Sequence, residues 1–438
     1  MSLLPHRLPR NLLDALAAGG GGPDAIRVLA AAERSKHAIL LHGVLTGAQA
    51  VGHEQAMHAH RGYELLIAAQ RMDPASVEAV IRHPSVGAWA LHTVRALRGG
   101  AAIPGAVPGA LCAVAAAAAI RARLPATIDV PVVSGVVVLP SLGLAIAGDE
   151  GAVVRSTPDG AEVTSAARQV ELPSDPHQDG PGWRGLRHLR TGPLKVLIDD
   201  LDPFRMPAAP HVAPRLRAAE VGRWDATFQR AWWLLEQHHP SIAAEVATAV
   251  RVIVPLSVPQ RGLVSSSSPE AFSAVALSEP PDPCTLAATL AHEVQHLKLS
   301  ALLDSIDLTL PDDGRRFYAP WREDPRPVSG LLQGAYAYLG VSRFWRRQRH
   351  LGNGHATIRA HAEFARWRWG AAGVVETLLS SGQLTPAGLD FVQGMARTLS
   401  TWQGEPVPED ALGLARQEAE QHLARWRSSN ARCWPDDR

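Results

Sequence analysis

A His-Glu-Val-Gln-His stretch at 292–296 contains the residues of this chain that are best placed to do metal chemistry. Residues four apart lie on the same face of a helix, so His292 and His296 can both reach one metal ion. Glu293 is offset by one position, which suits a catalytic base acting on a metal-bound water better than a ligand. The pattern therefore predicts a metal site. The alternative is a pair of histidines on a solvated helix face.

The flanking sequence indicates that this motif is helical. Asp282 supplies an N-cap, and Pro283 suits the first helical position. An apolar stripe then recurs every three or four positions, at Leu286, Leu290, Val294, Leu297 and Ala301. Uncompensated polar groups would be costly in such an apolar helix, which favours a metal site over a chance match.

A third protein ligand is expected downstream of the motif, because open catalytic metal sites usually have three. Position 302, where a metzincin has its third histidine, is Leu302. The position comparable to the later-helix glutamate of other zincins is Gln333, and glutamine is a weak ligand. The candidates are Gln333, Asp324 or Glu363, with Asp304, Asp307, Glu323, His355 and His361 as further donors. Spacing alone does not decide among them.

A proline-stiffened loop at 318–327 joins the motif helix to the next predicted helix. Its notable side chains are Tyr318, Trp321, Arg322 and Arg326. Prolines reduce the entropy cost of fixing such a loop, and arginine binds carboxylates bidentately. Either arginine could anchor an acidic cosubstrate or a peptide terminus, with the two aromatic rings as walls of the pocket. The alternative is a structural ion pair with Glu323 or Asp324.

The composition limits the classes of partner. Among the 438 residues there are 43 Lys and Arg against 42 Asp and Glu, so no charge excess attracts nucleic acid or membrane. The three cysteines match no C-x-x-C site and suggest a reducing, cytoplasmic location; they are Cys112, Cys284 and Cys433. The first ten residues lack the apolar core of a signal peptide. The alanine-rich stretch 101–120 contains two prolines and suits a buried helix better than a membrane span.

The periodicity changes twice along the chain. Residues 11–124 are alanine- and leucine-rich and read as helices, whereas short β-branched runs between Gly, Pro and Asp follow to about residue 200 and are typical of an antiparallel sheet. Helices resume near residue 215, and a strand is expected at 252–258. We therefore expect a mainly helical α+β fold. Its parts are a helical N-terminal region (1–125), an antiparallel β region (126–214) and a helical HExxH metal-binding catalytic domain (215–438).

Two segments, 11–45 and 277–349, resemble a family of HExxH-motif peptide-modification proteins. The quoted matches are LAHEVQHLKLSALLD at 290–304 and YAPWREDPRPVSGLLQGAYAYLGVSRFWR at 318–346. Members of that family occur alone or fused behind radical SAM enzymes, in gene clusters for ribosomally made, modified peptides. No radical SAM C-x-x-x-C-x-x-C is present here, so the resemblance implies the stand-alone form.

The resemblance implies an Fe(II)/2-oxoglutarate-dependent β-hydroxylase of a ribosomally synthesised precursor peptide. His292 and His296 would bind the iron together with one carboxylate, and Arg322 or Arg326 would bind the distal carboxylate of 2-oxoglutarate. The expected partners are the precursor peptide and, as a further candidate, a radical SAM enzyme of the same pathway.

The residues themselves agree with two metals. Octahedral Fe(II) with three protein ligands leaves room for a bidentate 2-keto acid and dioxygen. Tetrahedral zinc would instead hold one water, with Glu293 as the base for amide hydrolysis. The alternatives are thus a zinc-dependent metallopeptidase of the HExxH type and a non-enzymatic peptide-binding protein with a structural metal.

Overall fold

The computed structural model describes residues 6–148, 151–191, 194–207, 211–257 and 264–430. Within these ranges the fold is mainly helical, with sheets in the middle of the chain, as the change of periodicity predicts. Cys433 and Val258, the last residue of an expected strand, lie outside the described residues.

The first part of the chain is helical. Its elements are α1 (Arg10–Ala17), α2 (Gly22–Ala50), α3 (Ala56–Met72), α4 (Pro74–Ile81), α5 (Pro84–Leu97), a 3-10 turn (Pro108–Ala110) and α6 (Leu111–Arg121). The alanine run of α6 is fully buried, as its composition predicts. Among the described residues, no helix has both the length and the apolar character needed to cross a membrane.

Nine short strands follow, and three more come after an intervening helix pair. They are β1 (Ala126–Val130), β2 (Val136–Leu139), β3 (Gly143–Ile146), β4 (Ala152–Ser156), β5 (Ala161–Ser165), β6 (Gln169–Glu171), β7 (Trp183–Gly185), β8 (Arg187–Thr191), β9 (Leu194–Ile198), β10 (Val252–Leu256), β11 (Ser265–Ser266) and β12 (Ala274–Ser278). The helices between β9 and β10 are α7 (Ala218–His238) and α8 (Pro240–Ala249).

These strands form three sheets in the described part of the chain. Two of them, with strand orders β1-β4-β5-β6 and β2-β3-β7, are antiparallel throughout. The third has the order β11-β12-β10-β9-β8, and its β10 pairs parallel with both β9 and β12. The expectation of an antiparallel sheet therefore omits the parallel pairs. Helices α7 and α8 form the crossover between β9 and β10, and residues 257–273 connect β10 to β12, so each parallel pair has the long connection that it requires.

The last part of the chain is helical again, with α9 (Pro283–Leu303), α10 (Val328–Gln348), α11 (His355–Ser380), α12 (Pro386–Gln403) and α13 (Glu409–Asn430). Asp282 caps α9 as the sequence predicts, because its Oδ1 accepts a 2.9 Å hydrogen bond from the Thr285 N–H. The HExxH motif lies at the middle of this helix. Helix α9 packs against α10, and α10 packs against α11.

The chain folds as two compact units, each assembled from separate stretches. The first comprises Met1–Ala30, Gln229–Ala249 and Pro281–Arg438, and the second comprises Ala31–Phe228 and Val250–Pro280. The division predicted from the sequence, with boundaries at residues 125 and 214, assumes that each region is one continuous stretch. In the first unit, however, α1 packs on the distant helix α12. In the second unit, β10 and β12 complete the sheet that contains β9.

A glycine turn after α1 fixes the position of the motif helix within the first unit. The carbonyl oxygen of Gly19 accepts hydrogen bonds from Gln295 Nε2 at 2.9 Å, Lys298 Nζ at 3.3 Å and Arg343 Nη1 at 3.1 Å. Lys298 also pairs with Glu245 at 3.0 Å, and both side chains are buried. Gln295 and Lys298 thereby anchor one face of α9.

Candidate metal centre

The motif helix places the two predicted histidine ligands side by side. The Nε2 atoms of His292 and His296 are 3.1 Å apart, and their ring centroids are 4.8 Å apart. With metal–nitrogen bonds of about 2.1 Å, two nitrogens at this separation subtend about 95° at a shared ion. That angle is close to the roughly 90° between neighbouring octahedral ligands and narrower than the tetrahedral value of about 109°. The pair fits a divalent cation.

Gln333 on α10 orients one of these rings. Its Oε1 lies 3.1 Å from His296 Nδ1, so Nδ1 carries the proton and Nε2 keeps the lone pair that a metal needs. The two nitrogens of an imidazole ring point in nearly opposite directions. Gln333 therefore stands behind the His296 ring, where it positions the ligand and does not face an ion bound at Nε2.

Glu293 lies beside the pair. Its side chain is 1% exposed, and its Oε1 is 3.9 Å from His292 Nε2. Its Oε2 is buried and has no hydrogen-bond partner among the residues that the structure describes. A buried carboxylate oxygen without a donor is costly, so this atom is suited to a proton or water held at the metal.

The other proposed third ligands are engaged elsewhere. Asp324 pairs with Arg322 at 2.8 Å and with Arg326 at 2.9 Å. Glu363 accepts a 2.6 Å hydrogen bond from Trp367 Nε1 and also pairs with Arg359. In the part of the chain that the structure describes, no further His, Cys, Asp or Glu comes within 4.8 Å of both histidine nitrogens.

Aromatic rings line one side of the histidine pair. The Tyr338 ring meets His292 edge-on at 5.2 Å, and Trp321 stacks on Tyr338 with centroids 4.6 Å apart. Trp367 contacts the same tyrosine at 4.3 Å. The 318–327 loop thus reaches the site through Trp321. Tyr318 lies against α13 instead, where its hydroxyl is 2.9 Å from His422 Nδ1.

The surroundings of His292 favour its neutral form. Burial, followed by the charge of His296, lowers the pKa of His292 well below its ordinary value. A neutral imidazole is the form that binds a metal. Burial also raises the pKa of Tyr338, so that its hydroxyl stays protonated beside the ring of His292.

A second group of ligand-type side chains was not recognised from the sequence. His83, Asp199 and Asp202 are buried in the second unit, and their ligand atoms all lie within 4.8 Å of one another, so that they could hold a metal ion. No short motif links a histidine before α5 to aspartates after β9. The available signal was the Asp-Asp-Leu-Asp run at 199–202, directly after a predicted strand.

Neither protein-family models nor curated proteins give a match to this chain.

Proposed function

We propose that this protein is an Fe(II)/2-oxoglutarate-dependent peptide hydroxylase whose iron is held between His292 and His296. The observation that carries the proposal is the 3.1 Å separation of their Nε2 atoms, with His296 oriented from behind by Gln333. Such a pair provides two neighbouring positions of an octahedral ion. The resemblance to HExxH peptide-modification proteins supports the choice of iron and of a peptide substrate.

The choice of iron over zinc rests on the resemblance, because both chemistries call for three protein ligands. At an iron site, a bidentate 2-keto acid would add two oxygen ligands of its own. When bound, iron and 2-oxoglutarate supply dioxygen chemistry that places one oxygen atom in the substrate and the other in succinate, with release of carbon dioxide.

The chain offers a cation for the far carboxylate of the cosubstrate. Arg322 directly follows Trp321, which stacks on Tyr338, and Tyr338 contacts His292. Arg326 instead lies against Gly330 in the first turn of α10. Both arginines pair with Asp324, and Arg322 remains 53% exposed. We therefore assign the anchoring role to Arg322, with Trp321 as a wall of the pocket.

The test is to incubate the full chain with Fe(II), ascorbate, 2-oxoglutarate and a ribosomally made precursor peptide of the kind that the resemblance implies. We expect the peptide to gain the mass of one oxygen, with one succinate formed per hydroxylation. The His292→Ala variant should form neither product. Cleavage of the peptide would point to the peptidase, and binding without any mass change would point to a non-enzymatic binding protein.

A zinc-dependent metallopeptidase is the second candidate, and the position of Glu293 favours it. The free Oε2 of this buried carboxylate is suited to taking a proton from a metal-bound water. Glu293→Gln should abolish peptidase activity, whereas a hydroxylase needs no water base and should lose less. The same variant assayed for both products separates the two candidates.

A further inference from the structure

His83, Asp199 and Asp202 converge in the interior of the second unit. His83 precedes α5 as its N-cap residue, and the two aspartates lie in the turn that follows β9. The three residues are 3%, 0% and 4% exposed, respectively. A histidine and two carboxylates without contact with solvent need partners for their lone pairs and charges.

Two buried polar atoms in this cluster face each other without a hydrogen-bond partner among the described residues. They are His83 Nε2 and Asp199 Oδ2, which lie 3.8 Å apart. His83 Nδ1 lies 2.8 Å from the Ser85 hydroxyl oxygen. When Nδ1 donates to that oxygen, Nε2 carries the lone pair that a metal needs. The separation is too long for a hydrogen bond, whereas two metal–ligand bonds of about 2.1 Å can span it.

Among the described residues, no arginine forms an ion pair with Asp199 or Asp202. Arg121 donates to the hydroxyl and the carbonyl oxygen of Ser141. Arg205 donates to the carbonyl oxygens of Asp202 and Ala213. In the part of the chain that the structure describes, Asp199 has one ion-pair contact, and its partner is His83.

Neighbouring Asp200, in the same turn, is paired with two arginines. It forms ion pairs with Arg187 at 2.5 Å and with Arg215 at 2.7 Å. Within the described ranges, Asp199 lacks the arginine ion pairs that its neighbour Asp200 has.

We propose that His83, Asp199 and Asp202 bind a divalent transition-metal ion. One imidazole nitrogen and two carboxylate oxygens form a donor set suited to zinc, manganese or iron(II), and the two negative charges match the charge of the ion. Ser85 and Asp202 also line a mainly apolar cavity of about 70 Å³, which has room for a few water ligands. The ion ties the turn after β9 to the start of α5 and thereby stabilises the second unit.

The test separates this site from the HExxH pair. The full chain carrying His292→Ala and His296→Ala is purified, stripped with a chelator and reloaded with zinc, manganese or anaerobic iron(II). We expect one tightly bound ion per chain by elemental analysis, and a melting temperature that rises by roughly 5 °C or more on reloading. Failure of the hydroxylase proposal would leave this result unchanged.

Asp199→Asn, introduced into the same background, is the decisive variant. Its amide oxygen can still accept from the Leu201 and Asp202 N–H groups, so the variant is expected to fold while binding no ion and showing no melting shift with metal. Asp129→Asn is the matched control, because Asp129 is 60% exposed and lies outside the cluster; it should keep the ion. A background protein that binds no metal would overturn the proposal. So would an Asp199→Asn variant that binds as much metal as the control.

Discussion

Gln333 and His296 are joined by a 3.1 Å hydrogen bond between Oε1 and Nδ1, on the side of the ring opposite to His292. Partners of this kind fix the tautomer and orientation of a ligating imidazole, and their loss typically weakens metal binding about 10–100-fold. We expect Gln333→Ala to weaken binding by that factor, measured by competition with a chelator of known affinity.

Gln333→Glu is the control for that variant, because it keeps an oxygen acceptor for Nδ1. It should bind metal at least as tightly as the natural protein. If the alanine variant binds metal as tightly as the glutamate variant, Gln333 does not orient the ring.

His292→Ala and His296→Ala should each abolish metal retention at the HExxH site, since one imidazole cannot hold the ion alone. The measurement is metal content in an Asp199→Asn background, which removes the second proposed site. His355→Ala is the control, because His355 is exposed at the start of α11. Normal metal content in both motif variants would refute the assignment.

Arg322 and Arg326 form a matched pair for testing the cosubstrate anchor, because both bind Asp324. Arg322→Gln should raise the KM for 2-oxoglutarate roughly 10–100-fold, as expected for loss of a charge-assisted contact of about 1.5–3 kcal/mol. Arg326→Gln should leave that KM unchanged. If both variants lower the melting temperature and neither changes the KM, the arginines only hold the loop in shape.

Gly334 allows the tryptophan of the 318–327 loop to approach α10. A Cβ at this position would lie 2.3 Å from Trp321 Nε1, which would force the ring off Tyr338. We expect Gly334→Ala to lower the free energy of unfolding by about 1–3 kcal/mol and to reduce activity.

Gly373 on α11 is the matched control, because a Cβ there meets no atom within 4 Å. Gly373→Ala should raise the free energy of unfolding by about 0.5–1 kcal/mol through helix propensity. Chemical denaturation measures both variants. Equal effects of the two substitutions would show that Trp321 accommodates the added methyl group.

His239 makes folding sensitive to acid. Burial is the main reason that its pKa is lowered to about 4; its Nε2 contacts Gln348, and the charges of Arg347, His238 and Arg343 add to the lowering. Between pH 6.5 and 4 the unfolded chain binds a proton that the folded chain does not, so the free energy of unfolding falls as the pH falls. The contribution is at most about 1.4 kcal/mol per pH unit.

His239→Gln should make the dependence of stability on pH shallower across this window, as measured by denaturation at a series of pH values. The His239 ring also stacks on Phe344 at 4.4 Å, so the substitution changes the free energy of unfolding at every pH. The slope of that free energy against pH is therefore the quantity to compare. Identical slopes for the natural protein and the variant would contradict the prediction.

The sequence predicts those features that depend on local spacing. Asp282 and Pro283 mark the start of α9, and the four-residue interval between His292 and His296 indicates that their nitrogens meet. Features that depend on distant parts of the chain were not predictable. The sequence presents Gln333 as a candidate ligand. Only the packing of α10 on α9 shows that it contacts Nδ1 of the His296 ring, on the side away from the proposed metal.

The same limit applies to the second cluster and to the sheets. His83 and Asp199 belong to different elements, and no periodicity connects them. The parallel pairing of β10 with β9 depends on α7 and α8 returning the chain in the same direction, and its pairing with β12 depends on the segment that connects those two strands. Strand patterning does not contain that information.

The Gly19 carbonyl has a consequence for the order in which the chain folds during synthesis. Its partners Gln295, Lys298 and Arg343 come 276, 279 and 324 residues later. The turn after α1 therefore cannot form these hydrogen bonds until α10 has been synthesised. All residues of the second unit are made before Pro281, and this unit can complete its core first. The helix that presents the histidine pair is thus locked in place late, and nascent chains spend most of their synthesis without a formed metal centre.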